Sequence, residues 1–494
     1  MANMSEPVAA ADPRLHADPL ADDTIARILG PWDDECPSLS SPRSSPCSSP
    51  RSSSISRWQA IGIVNRELAG WQTNGGLVDW RASAGTPAPI AAALEAYVEQ
   101  ARQLPSWIDA GKVGCAEAVF VDMSMLSCTL LFCASLPECY VPADLASVLH
   151  TAGQLEQHTD YRVRATAAMI FPVMLRGGLM DAAGGGVAQV LKVRLIHATI
   201  RHLIVRGNPA EALEHGAAIP ALRPEGGSLH QTLFARGWDV NANGLPCNQE
   251  ELAYTLLTFH YVFLRGLRRL GLGLSKEEEG AYLHAWNVVG HLLGIGQELL
   301  VDTMAEAETL FARLQADGRA LAAARYAPAA RKGGAPAHGR HADPRPALAA
   351  ALMRAMQAEI PLRVLKPFPV LLTRRLCGRD TAADLGLDGH VSRLSRALFA
   401  LGMGLTRAVD GVARLVCPGF SISRLATRIL GHRLTMRFLM DQTRPLKLPD
   451  ALLRQVGGAV RDWEVDPKAP GWMNAIEQRF QAGDVQAGHE EAPC

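Results

Sequence analysis

Long apolar segments with few turn signals dominate most of the chain. Apolar residues continue from Gly114 to Leu136, and Pro137 marks the expected end of this helix. A second apolar segment at 187–206 lies between Gly184-Gly185-Gly186 and Gly207-Asn208-Pro209 and predicts one long helix. Because alternating apolar and polar positions are scarce, the sequence predicts a mainly α-helical protein.

Two polar runs mark further helix starts. The run Asn248-Gln249-Glu250-Glu251 precedes an apolar segment that extends to Gly271. The run Ser275-Lys276-Glu277-Glu278 resembles a capping box, in which the serine and a glutamate three residues later bind each other's backbone amides. The helix predicted after it carries Trp286.

Composition divides the chain into five parts. Residues 1–56 contain a stretch in which eleven of nineteen consecutive residues are serine, so we expect a disordered Ser/Pro-rich tail that buries too little apolar surface to fold. A helical domain is expected at 57–317, followed at 318–347 by a linker or long loop rich in Ala, Arg, Gly and Pro. A C-terminal helical block at 348–480, alone or packed on the first domain, and a tail at 481–494 complete the prediction.

The charge balance excludes several kinds of partner. Forty-nine basic residues match forty-nine acidic ones, which argues against nucleic-acid binding by bulk positive charge and against a polybasic membrane anchor. The first thirty residues lack the pattern of a secretory signal, and the longest uncharged apolar run, between Asp122 and Glu138, is too short to span a bilayer. We therefore expect a cytoplasmic protein without a transmembrane span, which leaves peripheral membrane contact open.

Common enzyme signatures are absent from the sequence. It contains no GxxxxGK, no GxGxxG after a strand, no GxSxG, no HExxH and no Glu-x-x-His pair. Ten cysteines without CxxC spacing predict buried free thiols and not a zinc ribbon. These observations argue against P-loop nucleotide hydrolysis, α/β-hydrolase chemistry and the common carboxylate metal sites.

Two central helices carry polar residues in apolar surroundings. In the first, Arg162 and Thr166 are four residues apart and share one face, about 40° apart around the axis. In the second, Arg194, His197 and Arg201 follow one another at i, i+3 and i+7. A histidine flanked by arginines suits an axial ligand of an anionic macrocycle, whose propionates the guanidinium groups would pair with.

The residues by themselves leave two alternatives open at this point. A histidine that simply packs in the core gives the same pattern as an iron ligand. His202 also serves as a candidate ligand on composition alone, although it lies about 140° around the helix from His197.

Several segments resemble the rubber oxygenases known as latex clearing proteins and their relatives, the ER-bound fungal oxygenases of the mycophenolic acid pathway. The likeness covers roughly residues 105–315. The segments that carry it, in order, are Arg162-x-x-x-Thr166, Val193-Arg194-Leu195-Ile196-His197-Ala198-Thr199-Ile200-Arg201, Trp238, Gly244-Leu245-Pro246-Cys247-Asn248, Thr258-Phe259-His260 and His284-Ala285-Trp286-Asn287-Val288-Val289-Gly290.

This resemblance implies a globin-like helical core that holds haem b. The family's proximal histidine corresponds to His197, and its arginine and threonine near the haem correspond to Arg162 and Thr166. Members are dioxygenases that cleave the carbon–carbon double bonds of polyisoprene into carbonyl ends. The resemblance therefore implies molecular oxygen and an apolar unsaturated small molecule or polyisoprenoid as substrates, with no nucleic-acid partner.

The sequence departs from the family in one position and leaves its catalytic acid unassigned. Some latex clearing proteins carry a lysine immediately before the threonine, where this chain has Ala165. Glu138 and Glu156 lie near the expected distal helices, but we expect surface roles for both. Two alternative functions are an oxygenase of the same fold that acts on a secondary metabolite, and a non-enzymatic helical haem-binding or scaffold protein.

Overall fold

The computed structural model describes residues 12–30, 32, 55–151, 159–214, 218–223, 228–326, 343–358, 360, 362–416 and 471. Within this part of the chain the secondary structure is α-helical apart from short 3-10 and π turns and one two-stranded sheet. The prediction of a mainly α-helical protein is therefore confirmed.

An N-terminal helix, α1 (Pro19–Leu29), packs against the core. The Asp18 side chain caps its first turn by accepting a hydrogen bond from the Ala21 amide, and Gly30 ends it with a positive φ of 65°. Ile25 on its inner face is only 1% exposed. The prediction of a disordered tail over 1–56 is therefore wrong for residues 12–30, and its serine-rich stretch lies almost entirely outside the described residues.

Six helices and a π-helical turn lead to the central pair. The turn, Leu131–Ser135, and a break at Met123 interrupt the single helix predicted from Gly114 to Leu136. Pro137 does not end a helix, because it lies in the first turn of a short one, where its missing amide proton costs nothing. The helices are α2 (Arg57–Gly70), α3 (Ala88–Ala101), α4 (Ala110–Asp122), α5 (Ser124–Leu130), α6 (Leu136–Cys139) and α7 (Ala143–Thr151).

The central pair is α8 (Thr159–Met174) and α9 (Gly186–Val205), which pack against each other. The chain between them folds back so tightly that a Cβ at Gly178 would lie 2.2 Å from the carbonyl oxygen of Pro172. At Gly184 a Cβ would lie 2.2 Å from the carbonyl oxygen of Gly177. Only glycine therefore fits at these two positions. Both ends of α9 lie within one residue of the predicted range of 187–206.

Seven helices and both strands follow α9. The two strands pair antiparallel, with Ala218 opposite Asp239 and Ile219 opposite Trp238. The segment predicted to run from Asn248 to Gly271 is divided in two at His260, and the capping box of Ser275 and Glu278 is formed as predicted. In chain order the elements are α10 (Pro209–Glu214), β1 (Ala218–Ile219), α11 (Leu229–Ala235), β2 (Trp238–Asp239), α12 (Val240–Asn243), α13 (Gln249–Phe259), α14 (Tyr261–Leu270), α15 (Lys276–Leu292) and α16 (Met304–Tyr326).

The C-terminal helices are α17 (Arg345–Ala358), α18 (Phe368–Cys377), α19 (Arg379–Asp384) and α20 (Arg393–Val416). The first three of them contribute to the same hydrophobic core as the earlier helices. Helix α16 continues to Tyr326 and α17 begins at Arg345, so both ends of the linker predicted at 318–347 are helical. Its centre, and the part of the C-terminal block beyond Val416 except Gly471, lie outside the described residues.

None of the helices in the described ranges is both long enough and apolar enough to cross a membrane.

Candidate cofactor cavity

A cavity of about 340 Å³, here called the apolar cavity, lies between helices α6, α7, α8, α9, α13 and α15. Four polar side chains reach it, those of Thr166, His197, Glu251 and Thr255, together with two cysteines, Cys139 and Cys247. The rest of its wall is apolar and consists of Leu136, Leu145, Leu149, Met169, Val193, Leu252, Leu256, Phe259, Trp286 and Leu293. A mostly apolar hollow with a few convergent polar groups is typical of a cofactor or ligand site.

Helical periodicity explains how these residues meet. On α9, Val193 and His197 are four residues apart and face the cavity together. On α8, Thr166 and Met169 are three residues apart. Phe259, at the end of α13, stacks on Trp286 of α15 with ring centroids 5.5 Å apart and closes one side of the wall.

His197 is the nitrogen donor at this cavity. Its ring is partly accessible because it borders the hollow, while its Nδ1 atom is buried without a hydrogen-bond partner among the described residues. Burial lowers the pKa of His197 to about 4, and Arg201 nearby lowers it further, whereas Asp18 raises it. The imidazole is therefore neutral at neutral pH, which is the form that binds metals.

The predicted arginine and threonine have different outcomes. Thr166 lines the cavity together with His197, so the structure brings these two predicted site residues together. Arg162 belongs to α8, but its side chain lies outside the described residues.

The two arginines of α9 do not line the cavity and are paired with α1 instead. The Nε and Nη2 atoms of Arg194 donate to the carboxylate of Asp18 at 2.5 and 2.7 Å. Arg201 donates from Nε to Asp22 at 2.8 Å and from Nη1 to the carbonyl oxygen of Cys247 at 2.7 Å. Both guanidinium groups are thus buried in ion pairs between helices.

His202, the alternative ligand, points elsewhere. Its ring is 1% exposed, lies 6.4 Å from the ring of Trp32 and does not border the cavity. The 140° rotation between the two histidines thus separates a cavity residue from a core residue.

Glu251 is a cavity residue that the sequence did not single out. It follows the Asn248 cap, where acidic residues are common at any exposed helix start. The sequence did contain a signal for this position, because Glu251, Thr255 and Phe259 are spaced four residues apart and therefore share one helix face. Burial raises the pKa of this carboxyl to about 8, and Asp144 raises it further.

Glu138, for which we expected a surface role, is completely buried. Its carboxylate accepts hydrogen bonds from Arg265 at 2.6 Å, from Gln315 at 2.7 Å and from Thr381 at 3.2 Å. It therefore joins α6 to three later helices. Glu156 lies outside the described residues.

Comparison with known proteins identifies the family. The sequence model described as "ER-bound oxygenase mpaB/B'/Rubber oxygenase, catalytic domain" matches residues 129–408, which is more than half of the chain. The chain belongs to this rubber oxygenase catalytic-domain family.

Two individual proteins are similar to the chain. A rubber oxygenase from Streptomyces sp. (strain K30) is 23% identical over 250 residues, which amount to 49% of this chain and 51% of that protein. The chain therefore aligns with about half the length of this relative. A solved structure of latex clearing protein in the closed state has the same fold, with a TM-score of 0.52, 17% identity, and coverage of 92% of this chain and 91% of that one.

The family segment contains the whole described wall of the apolar cavity. The family segment extends further towards the C-terminus than the expected range of 105–315 and includes α17, α18 and α19. This agrees with the structure, in which these three helices contribute residues to the same hydrophobic core as the earlier helices. Helix α1 lies outside the segment although Asp18 and Asp22 hold α9 in place. The rubber oxygenase domain of this chain is thus supported by an N-terminal helix that the family model does not cover.

Proposed function

We propose that the protein is a haem b-dependent oxygenase of the latex-clearing type, which oxidatively cleaves carbon–carbon double bonds of an apolar isoprenoid substrate. The observation that supports this most directly is that His197 and Thr166, from different helices, line one apolar cavity in a chain of the rubber oxygenase family. The substrates would be molecular oxygen and an apolar unsaturated small molecule or polyisoprenoid.

The donor chemistry at the cavity fits haem. Among the described residues, no group of three or more His, Cys, Asp or Glu side chains is arranged to hold a bare metal ion. A haem iron can be held by one protein nitrogen, and the neutral His197, whose ring borders the cavity, offers such a nitrogen. Haem, when bound, supplies an iron that binds and activates oxygen.

The other cavity residues would position the reactants and exclude water. The Thr166 hydroxyl would offer a hydrogen bond to a polar reactant, and Arg162 is a second candidate on the same helix. The leucines, Phe259 and Trp286 of the wall would hold an alkene without competing for hydrogen bonds. Cleavage adds one oxygen atom to each carbon of the double bond, so no proton is consumed overall.

The pairing of Arg194 and Arg201 with haem propionates stays a prediction. Their contacts with Asp18 and Asp22 support a different role, which is to hold α9 against α1. The two roles exclude one another only if a propionate would have to displace the carboxylates.

The proposal is tested by expressing the protein with haem supplied and recording its absorption spectrum. We expect a Soret band, oxygen consumption with polyisoprene, and carbonyl-ended products that carry both atoms of ¹⁸O₂. Short prenyl compounds serve as the comparison substrates, because preference for them over the polymer would favour an oxygenase of secondary metabolism. Protein without a Soret band after haem is supplied would contradict the proposal, and haem-loaded protein that consumes no oxygen would indicate a non-enzymatic haem protein.

A further inference from the structure

A second hollow lies on the other side of Glu251. It measures about 660 Å³ and is here called the polar cleft, because charged side chains from the N-terminal segment, α7, α13 and α16 line it. Among the described residues, Glu251 is the one that lines both the polar cleft and the apolar cavity. It therefore stands in the wall between a charged surface hollow and the candidate cofactor site.

The carboxyl group of Glu251 is fixed at one of its oxygens. Its Oε2 atom accepts a hydrogen bond from the Cys247 amide at 2.7 Å, and its Oε1 atom is buried with no hydrogen-bond partner in the described part of the chain. A buried carboxylate oxygen without a partner is costly, and binding a proton removes most of that cost.

The backbone that holds Glu251 is itself constrained. Cys247 has a φ of 53°, which is unusual for a residue with a side chain, and its carbonyl oxygen accepts the hydrogen bond from Arg201. Arg201 also donates from Nη1 to the carbonyl oxygen of Pro246 at 3.3 Å, in the peptide group that carries the Cys247 amide, so the buried arginine helps to hold this amide towards the glutamate. Strained backbone of this kind is found where a site depends on it.

Charged neighbours keep both protonation states of Glu251 accessible. Burial and the Asp144 carboxylate favour the protonated form, whereas the Cys247 and Asn248 amides and Arg201 favour the charged form. The other charged groups facing it across the polar cleft are Asp12, Arg14, Glu250, Arg313 and Asp317, and His197 is the histidine on the cavity side. With a pKa of about 8, the carboxyl exchanges protons near neutral pH.

We propose that Glu251 exchanges protons with the polar cleft in step with the charge in the apolar cavity, a role that rests on the haem-dependent function proposed above. If an external one-electron donor reduced the haem iron from ferric to ferrous, one negative charge would be added to this buried region. The Glu251 carboxylate would then bind one proton from the cleft, which would keep the total charge of the site unchanged. Reoxidation would release the electron and the proton again.

The chain offers a matched control in Glu117. This carboxyl is also buried, its Oε2 atom accepts from the Gly177 amide at 2.9 Å, and its Oε1 atom has no hydrogen-bond partner among the residues that the structure describes. Burial raises its pKa as well. Glu117 lines neither the polar cleft nor the apolar cavity, so it tests a buried carboxyl with a raised pKa at another location.

The first measurement needs no haem. Infrared spectra of the full-length apoprotein should contain a protonated-carboxyl band that disappears with an apparent pKa of about 8 and is missing in Glu251→Gln. The substituted amide keeps an oxygen that accepts from Cys247, so we expect this variant to fold. An unchanged titration in Glu251→Gln overturns the proposal.

The second measurement is the midpoint potential of the haem-loaded protein as a function of pH. Around pH 8, the midpoint potential of wild type and Glu117→Gln should fall as the pH rises, because the carboxyl holds its proton more tightly when the iron is ferrous, while Glu251→Gln should lose most of this slope. Equal slopes in all three proteins, each with its Soret band, overturn the proton exchange at Glu251 and leave the proposed function standing. Absence of a Soret band in wild type overturns the proposed function and the proton exchange with it.

Discussion

Arg194 and Asp18 are 176 residues apart in the chain and form a buried ion pair, with the Arg194 Nε atom 2.5 Å from the carboxylate. Their side chains are 10% and 3% exposed. The pair fastens α1 to α9 one turn away from His197. The position of the candidate iron ligand therefore depends on a segment that composition alone suggests is dispensable.

Arg194→Ala should destabilise the apoprotein by about 3–5 kcal/mol, because it leaves the Asp18 carboxylate buried without its cation. The free energy of unfolding in urea measures this. Asp12→Ala is the control, since the side chains of the Asp12–Arg14 pair are 37% and 39% exposed and such pairs contribute roughly 1 kcal/mol or less. Normal apoprotein stability combined with loss of haem would instead support the propionate role of Arg194.

The sequence predicts helices whose ends are determined locally and misses those that depend on distant partners. Gly186 and the Ser275–Glu278 capping box are local signals, and α9 and α15 begin where these predict. Helix α1 also has local end signals in Asp18 and Gly30, but it is only eleven residues long, lies in a segment whose composition is dominated by serine further on, and is stabilised by arginines far along the chain. The division at His260 is marked by no glycine or proline in the sequence.

The residues of the candidate site were likewise predictable only as far as local sequence determines their positions. The spacing that joins His197 to Arg194 and Arg201 was visible, but which of the three faces the cavity depends on what packs against α9. Glu251 was missed because an acidic residue near a helix start has an ordinary surface explanation. Its true environment is set by α7 and the Cys247 loop, which no local pattern reveals.

Glu138→Ala should cost about 3–5 kcal/mol of stability, since it leaves Arg265 buried without its carboxylate. Urea unfolding followed by circular dichroism measures the change. Glu250→Ala is the comparison, because its partner Arg313 is about half exposed, and it should cost roughly 1 kcal/mol or less. If Glu138→Ala keeps wild-type stability and loses only activity, the residue acts in catalysis and not in holding the helices together.

Thr166→Ala should keep the fold and impair haem retention or oxygen chemistry, since losing a hydrogen-bonding group at such a site costs about 1–3 kcal/mol. Thr166→Ser keeps the hydroxyl and should retain most of the function. Haem stoichiometry and oxygen uptake are the measurements. Full stoichiometry and full turnover in Thr166→Ala would remove this residue from the site.

Apoprotein stability should fall as the pH drops from about 6.5 to about 4. Burial lowers the pKa of His197 and His202 to about 4 and that of His260 to about 3, from an ordinary value of 6.5. These groups bind protons more readily when the chain unfolds, so the stability that they contribute is complete above pH 6.5 and is lost below it. His260→Phe should reduce the proton uptake on unfolding by about one, and an unchanged pH dependence would contradict the assignment of a buried neutral imidazole.

His197→Ala should purify with little haem and no oxygenase activity while remaining largely helical. The imidazole borders the apolar cavity, and no other histidine among the described residues does so, which leaves the iron without a proximal ligand. His202→Ala is the matched control on the same helix: it should keep its Soret band and lose stability, because its ring is buried against Trp32. Ferric and ferrous absorption spectra of the two variants distinguish the ligands. A native Soret band in His197→Ala together with its loss in His202→Ala would show that the ligand has been misassigned, and native bands in both would mean that this helix supplies no iron ligand at all.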